Sequence, residues 1–224
     1  YPSDKYVEIY NPTDQIVDLS NYRLWKINNG GDWYEVQMSF SGATLNPGDT
    51  YVLAPDISNY IENVPNVDQW SGNINVSGND AIGLAYNGGS GTDFYLIDAI
   101  GDEGPDVGDG WDVAGVTAAT KDHTLIRKPS VQGPNADWSS SAGTDAENSE
   151  WIVTDFDLTD VGYHTMLPCG EEDYCGSLGP VVVTGVAQGP LLGSYPRFVE
   201  LYTFEEVDFT GWTLRSHING SAGI

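Results

Sequence analysis

The sequence predicts an all-β sandwich, and three features carry that reading. They are period-two alternation of apolar and polar residues, turn chemistry between the alternating runs, and an internal repeat. Tyr34, Val36, Met38 and Phe40 alternate with Trp33, Glu35, Gln37 and Ser39, as one strand with a buried face would. Ile82, Leu84 and Tyr86 alternate with Ala81, Gly83 and Ala85 in the same way. Shorter strand-like runs occupy residues 6–10, 22–27, 51–54, 94–100, 124–128 and 151–154. Asn46-Pro47-Gly48-Asp49 suits a type II turn, because Pro presets φ and Gly accepts a positive one. Asn29-Gly30-Gly31 and Asn87-Gly88-Gly89 also read as turns. The one helix expected is short, over residues 56–63.

The repeat sets the domain organisation. Tyr6-Val7-Glu8-Ile9-Tyr10 returns as Phe198-Val199-Glu200-Leu201-Tyr202. Val17-Asp18-Leu19-Ser20-Asn21-Tyr22-Arg23-Leu24 returns as Val207-Asp208-Phe209-Thr210-Gly211-Trp212-Thr213-Leu214. Even Tyr1-Pro2 returns as Tyr195-Pro196. The expected organisation is a sandwich over residues 1–166, a linker over 167–180 and the N-terminal part of a second, similar sandwich over 181–224. In the second copy an apolar run, Val181-Val182-Val183-Thr184, precedes the repeated block. The equivalent strand of the first copy is expected before residue 1, either as sequence that continues there or as a strand added by another chain.

Charge narrows the function classes. There are 33 acidic against 8 basic residues, a formal net charge of −25. Nucleic acid is bound largely by neutralising its phosphates, so a surface this acidic is expected to repel it and to repel anionic membranes. No apolar run approaches the ~20 residues of a membrane-spanning helix. The charge itself reads as a solubility device or, alternatively, as carboxylate clusters that bind cations. The only cysteines are Cys169 and Cys175, with five residues between them inside the linker. Zinc needs four ligands, which this pair with His164 does not supply. The preferred reading is a local disulfide loop in an oxidising, extracellular or cell-surface setting; two free thiols in the linker are the alternative.

Several blocks in order resemble the lamin tail domain of secreted and bacterial-type proteins. They are Tyr6-Val7-Glu8-Ile9-Tyr10-Asn11-Pro12-Thr13, Val17-Asp18-Leu19-Ser20, Leu45-Asn46-Pro47-Gly48, Gly110-Trp111-Asp112, Lys121-Asp122-His123-Thr124-Leu125-Ile126-Arg127-Lys128-Pro129 and Ser149-Glu150-Trp151. The resemblance spans about residues 1–165, with a partial second copy from about 180. It implies an immunoglobulin-like β-sandwich without catalysis, a family found in nuclear lamins and as an accessory module of secreted or surface proteins, sometimes beside nucleases or other hydrolases. The chain departs from the nuclear type in its acidity, its tandem copies and its lack of coiled-coil heptads.

Residue by residue, structural readings dominate. Glu8 and Glu200 sit between apolar neighbours and are expected to bond backbone or a nearby cation inside the fold. Lys121, His123, Arg127 and Lys128 cluster, and on so acidic a chain they are expected to form internal ion pairs. The densest acidic loop runs from Gly101 to Gly110, where glycines allow bends and Asp102, Asp106 and Asp109 are the candidate calcium ligands. Its spacing is not that of an EF-hand. A second acidic stretch spans residues 155–160. No G-x-S-x-G, H-E-x-x-H or phosphate-cradling glycine loop is present, so no catalytic residue is assigned. The 7 Trp, 13 Tyr and 6 Phe are read mainly as packing, with one or two exposed rings suited to sugar faces. Asn75 and Asn219 stand in N-glycosylation triplets that matter only in a eukaryotic secretory route.

These readings give three functional expectations. The first is a non-catalytic extracellular structural or adhesive module of a larger tandem-repeat surface or filament protein, with protein partners: copies of itself or neighbouring domains. The others are an accessory binding domain of a secreted hydrolase such as an extracellular nuclease, and a calcium-dependent carbohydrate- or protein-binding module.

Overall fold

The computed structural model describes residues 4–40, 42, 44–56, 64–89 and 91–167, and the backbone of residues 181–188 and 197–203. In chain order the strands are β1 (Val7–Tyr10), β2 (Val17–Asp18), β3 (Tyr22–Ile27), β4 (Val36–Ser39), β5 (Thr44–Leu45), β6 (Thr50–Ala54) and β7 (Gln69–Trp70). They continue as β8 (Ala81–Tyr86), β9 (Tyr95–Ile100), β10 (His123–Arg127), β11 (Trp151–Asp155), β12 (Val181–Gln188) and β13 (Arg197–Thr203). A single α-helix is described, α1 (Trp138–Ala142), with 3-10 turns at Leu19–Asn21 and Gly72–Ile74. The helix expected over 56–63 falls mostly outside the described residues. The helix that is seen lies elsewhere, capped by Asp137, whose side chain accepts from Ser140 N.

The chain divides into two units, Tyr1–Gly176 and Ser177–Ile224. In the first, a four-stranded antiparallel sheet of order β4-β3-β8-β9 and a three-stranded sheet of order β1-β6-β7 form the layers. The β6–β7 pairing is parallel. Short β2–β5 and β10–β11 ribbons complete the unit. In the second unit β12 and β13 pair antiparallel, with a register shift between Val183 and Gly185. β13 carries the block that repeats residues 6–10.

Alternation decides what each face buries. Leu24, Met38, Ile82 and Leu84 from the larger sheet meet Leu53, Tyr51, Val7 and Ile9 from the smaller, closed off by Leu19, Phe40, Leu45 and Ile74. The opposite face of the larger sheet, which carries Trp25 and Ile27 of β3, is buried too, against Trp33, Phe94 and Trp111. That explains the small residues on the second face of β8. A Cβ on Gly83 would stand 2.5 Å from the Leu96 side chain and 2.8 Å from the Trp33 ring, so only glycine lets the indole lie on the strand.

One expected alternation is corrected at its start. β4 begins at Val36, and residues 33–35 belong to a turn and bend that precede it. Trp33 is therefore buried, whereas Tyr34 is 69% exposed and rests against Trp25 at 5.1 Å between ring centroids. The expected turn at Asn46-Pro47-Gly48-Asp49 forms as read, whereas Asn29-Gly30 is a bend that leads into the bridge at Gly31. Asp49 N donates to Asn46 O at 3.1 Å across the Pro47-Gly48 turn, and Gly48 takes φ +74°.

Candidate functional site

The acidic loop is built by pinning rather than by convergence. Gly31 and Gly104 exchange both backbone hydrogen bonds, at 2.8 and 2.9 Å, which fastens the loop to the β3–β4 turn. Gly30 permits the approach, since a Cβ there would sit 2.3 Å from Asp106 N. Each aspartate has its own partner. Asp102 accepts from Glu103 N at 2.8 Å. Asp106 accepts from Asn79 Nδ2 at 2.9 Å and from Gly108 N at 2.8 Å, and these bonds hold its carboxyl below the usual range. Asp109 pairs with Lys121 Nζ at 2.7 Å, which lowers the acid and raises the amine. Among the described residues no group of three or more His, Cys, Asp or Glu side chains is gathered to hold a metal ion. The structure thus does not gather Asp102, Asp106 and Asp109 as one ligand group, and Asp106 and Asp109 are engaged by Asn79 and Lys121. The stretch 155–160 behaves alike: Asp157 accepts from Thr159 N and Oγ1 and is held low by them.

The basic block supplies internal ion pairs, as its residues led one to expect. Arg127 Nη2 contacts Asp98 Oδ1 at 2.5 Å, and Arg127 Nη1 lies 3.3 Å from Glu150 Oε2. The guanidinium also covers the Trp151 ring at 4.3 Å. Around it Asn135 donates to both acids' neighbourhood, through N to Asp98 Oδ1 and through Nδ2 to Glu150 Oε1. Ser141 links Glu150 to Trp151: its hydroxyl donates to Glu150 Oε2 and accepts from Trp151 Nε1. Burial raises the Asp98 carboxyl, and Arg127 and the N–H groups of Asn135 and Ala99 oppose it. Lys128 Nζ donates to the carbonyls of Ala146 and Glu147 instead of pairing with an acid. His123 Nδ1 lies 2.6 Å from Lys121 O, a strand-edge contact.

The third constellation lies on the outer face of β1 and β6. Glu8 Oε2 accepts from Gly162 N at 2.7 Å, so the acid bonds backbone, one of its two expected roles. Burial pushes its carboxyl up to about 7, with the Gly162 N–H opposing. Tyr6 beside it is pushed up to about 12, by burial first and then by Glu8, Asp157 and Asp160. Tyr10 meets His164 edge-on at 4.9 Å, and burial, helped by Arg127, lowers that imidazole. Nothing in the sequence pairs Glu8 with a glycine 154 positions away. The one local signal was an acid between apolar neighbours.

Residues 1–104 match the family model of the Lamin Tail Domain. Over that span the chain is similar to a lamin tail domain. The matched span holds the blocks at 6–13, 17–20 and 45–48, while those at 110–112, 121–129 and 149–151 lie beyond it. No curated protein matches the chain. Lamin tail domains are immunoglobulin-like β-sandwiches, a non-catalytic family of binding and structural modules, and the layers described above agree with that architecture.

The remaining sequence candidates are placed as follows. Asn75 is exposed in the loop after the second 3-10 turn, where its Oδ1 accepts from Lys5 Nζ at 3.1 Å. Cys169, Cys175 and Asn219 lie outside the described residues. The exposed rings are spread over the unit: Tyr34, Trp70, Tyr95, Phe156 and Tyr163. No described helix is long and apolar enough to cross a membrane.

Proposed function

We propose that this chain is a non-catalytic structural or adhesive module of a larger extracellular protein, in which similar sandwiches repeat along the chain and contact other proteins, including copies of themselves. The observation that carries the reading is the repeat of residues 6–10 and 17–24 at 198–202 and 207–214. Three of the groups singled out in the sequence support it, because each is engaged within the fold: Arg127 with Asp98 and Glu150, Lys121 with Asp109, Glu8 with Gly162. The charge of −25 adds a condition on assembly. Modules so acidic repel one another, and salt shortens that repulsion to a Debye length of about 8 Å at physiological ionic strength.

The test is sedimentation velocity of the full chain at rising salt, beside immunolocalisation in the native host. Association that strengthens from low to physiological salt, with protein outside the cell, is the expected result. A monomer at every salt and concentration, or protein confined inside the cell, would contradict the reading.

A further inference from the structure

Residues 156–167 follow β11 and lie against the outer face of the β1–β6–β7 sheet, held at separate points. Thr124 Oγ1 and Asp157 exchange bonds at the start, 3.0 Å to the carbonyl and 2.9 Å from the N–H. Leu158 and Val161 pack on Tyr6, Val52, Ala54, Val64 and Val67. Asn66 Nδ2 donates to Val161 O at 2.7 Å, and Gly162 N donates to Glu8. His164 meets Tyr10, and Leu167 N donates to Pro129 O at 2.7 Å at the far end. The fit at Gly162 is tight: φ is +87° and a Cβ would stand 2.6 Å from Asn66 Cβ. No strand ladder fixes this segment, so two of its middle contacts rest on titratable side chains.

We propose that residues 156–167 form a pH-responsive strap whose closure over β1 strengthens as pH falls below neutrality, with Glu8 as the titrating contact and His164 acting in the opposite sense. Closing the strap removes water from the Glu8 carboxyl, whereas opening returns it to solvent. Burial is what raises Glu8. The titratable groups on the elements packed here are Tyr6 and Tyr10 on β1, Asp157, Asp160, Tyr163 and His164 on the strap, and Asp68, which accepts from Val52 N on β6. Asp157 and Asp160 act on Tyr6, and Tyr163 acts on Tyr10. Arg127, on β10, acts on His164.

The sign follows from which state binds the proton. Glu8 is raised in the closed state from 4.5 to about 7. Its contribution to closure is therefore fully present below 4.5 and lost as pH rises through 7. His164 is lowered by closure, so its contribution is present above 6.5 and lost as pH falls through its depressed value. Glu8 bonds the strap directly through Gly162 N–H, whereas His164 only meets Tyr10 edge-on, so the Glu8 dependence dominates and the strap is looser at pH 8 than at pH 5. Because Glu8 is only half-buried and partly screened by water, the net difference in the opening equilibrium is roughly ten-fold.

The measurement is amide hydrogen exchange of the full chain by mass spectrometry at pH 5, 6.5 and 8, corrected for intrinsic exchange rates. Peptides from 156–167 are read against β3 and β8 as internal controls. Opening of the strap is expected to be roughly ten-fold greater at pH 8 than at pH 5, with the controls unchanged. Glu8→Gln keeps an acceptor for Gly162 N–H and removes the charge, so its strap is expected to show the reverse dependence, looser at pH 5, from His164 alone. A strap with no pH dependence relative to β3 and β8, or a Glu8→Gln chain with the dependence of the original, would overturn the proposal.

Discussion

Asn11 is 2% exposed, and its side chain uses all its hydrogen-bonding capacity. Nδ2 donates to the carbonyls of Gln15 and Leu45, and Oδ1 accepts from Thr13 N and Thr13 Oγ1. Its backbone exchanges bonds with the Pro47-Gly48 turn, donating to Asp49 O and accepting from Gly48 N. One residue thereby ends β1, shapes the loop after it and docks the turn before β6. Asn11→Ala removes four side-chain hydrogen bonds and leaves the buried Leu45 carbonyl without that donor, while exposed Thr13 and Gln15 turn to water, so it is expected to cost about 1–3 kcal/mol of stability, read by urea unfolding. The strand end at Asn11-Pro12 was legible from Pro alone. The amide's partners were not, because a short polar side chain gives no sign of which distant carbonyls it will meet. Gly83 shows the same limit: the alternation of β8 was readable, but not the indole that makes glycine necessary.

At the scale of elements, Arg127 joins pieces that the sequence keeps far apart. It projects from β10, pairs with Asp98 on β9 and Glu150 just before β11, and stacks on Trp151. Asn135 ties the loop before α1 to both acids, and Ser141 ties α1 itself to Glu150 and Trp151. The ribbon and helix thus share one buried charge. Arg127→Met keeps much of the packing but leaves two carboxylates without their cation. It is expected to cost about 2–4 kcal/mol, less than for a fully dry pair because Asp98 and Glu150 retain some water. A thermal midpoint unchanged in that variant would remove the ion pair from the account. The cluster of basic residues flagged these pairs in advance, since positive charge is scarce here; their acids were hidden among 33. α1 escaped notice because five residues, three of them serine, are too few to display a helical period. Its signals were the Asp137 cap and Gly143, which takes φ +63° just beyond it.

For the molecule as a whole, sandwich architecture was readable because period-two patterns and turn residues act locally and repeatedly. Sheet order was less so: β2, β5 and β7 are two residues each, too short to carry a pattern. The lamin tail resemblance was legible over a longer stretch than the family match, which covers residues 1–104. The part beyond that match is nonetheless built into the same compact unit, through Trp111, Val113, Trp138 and Trp151 packed on Ile100. A chain that spends Arg127 and Lys121 on internal pairs and repeats its sequence is suited to assembly once salt screens its acids, and assembly is visible at the scale of whole particles. Electron micrographs of the native material, taken from the cell surface or the medium of its host, therefore bear most directly on the account. Chains or filaments with a regular domain-sized repeat are the predicted result. Separate compact particles, with an enzymatic domain attached to this one, would contradict it.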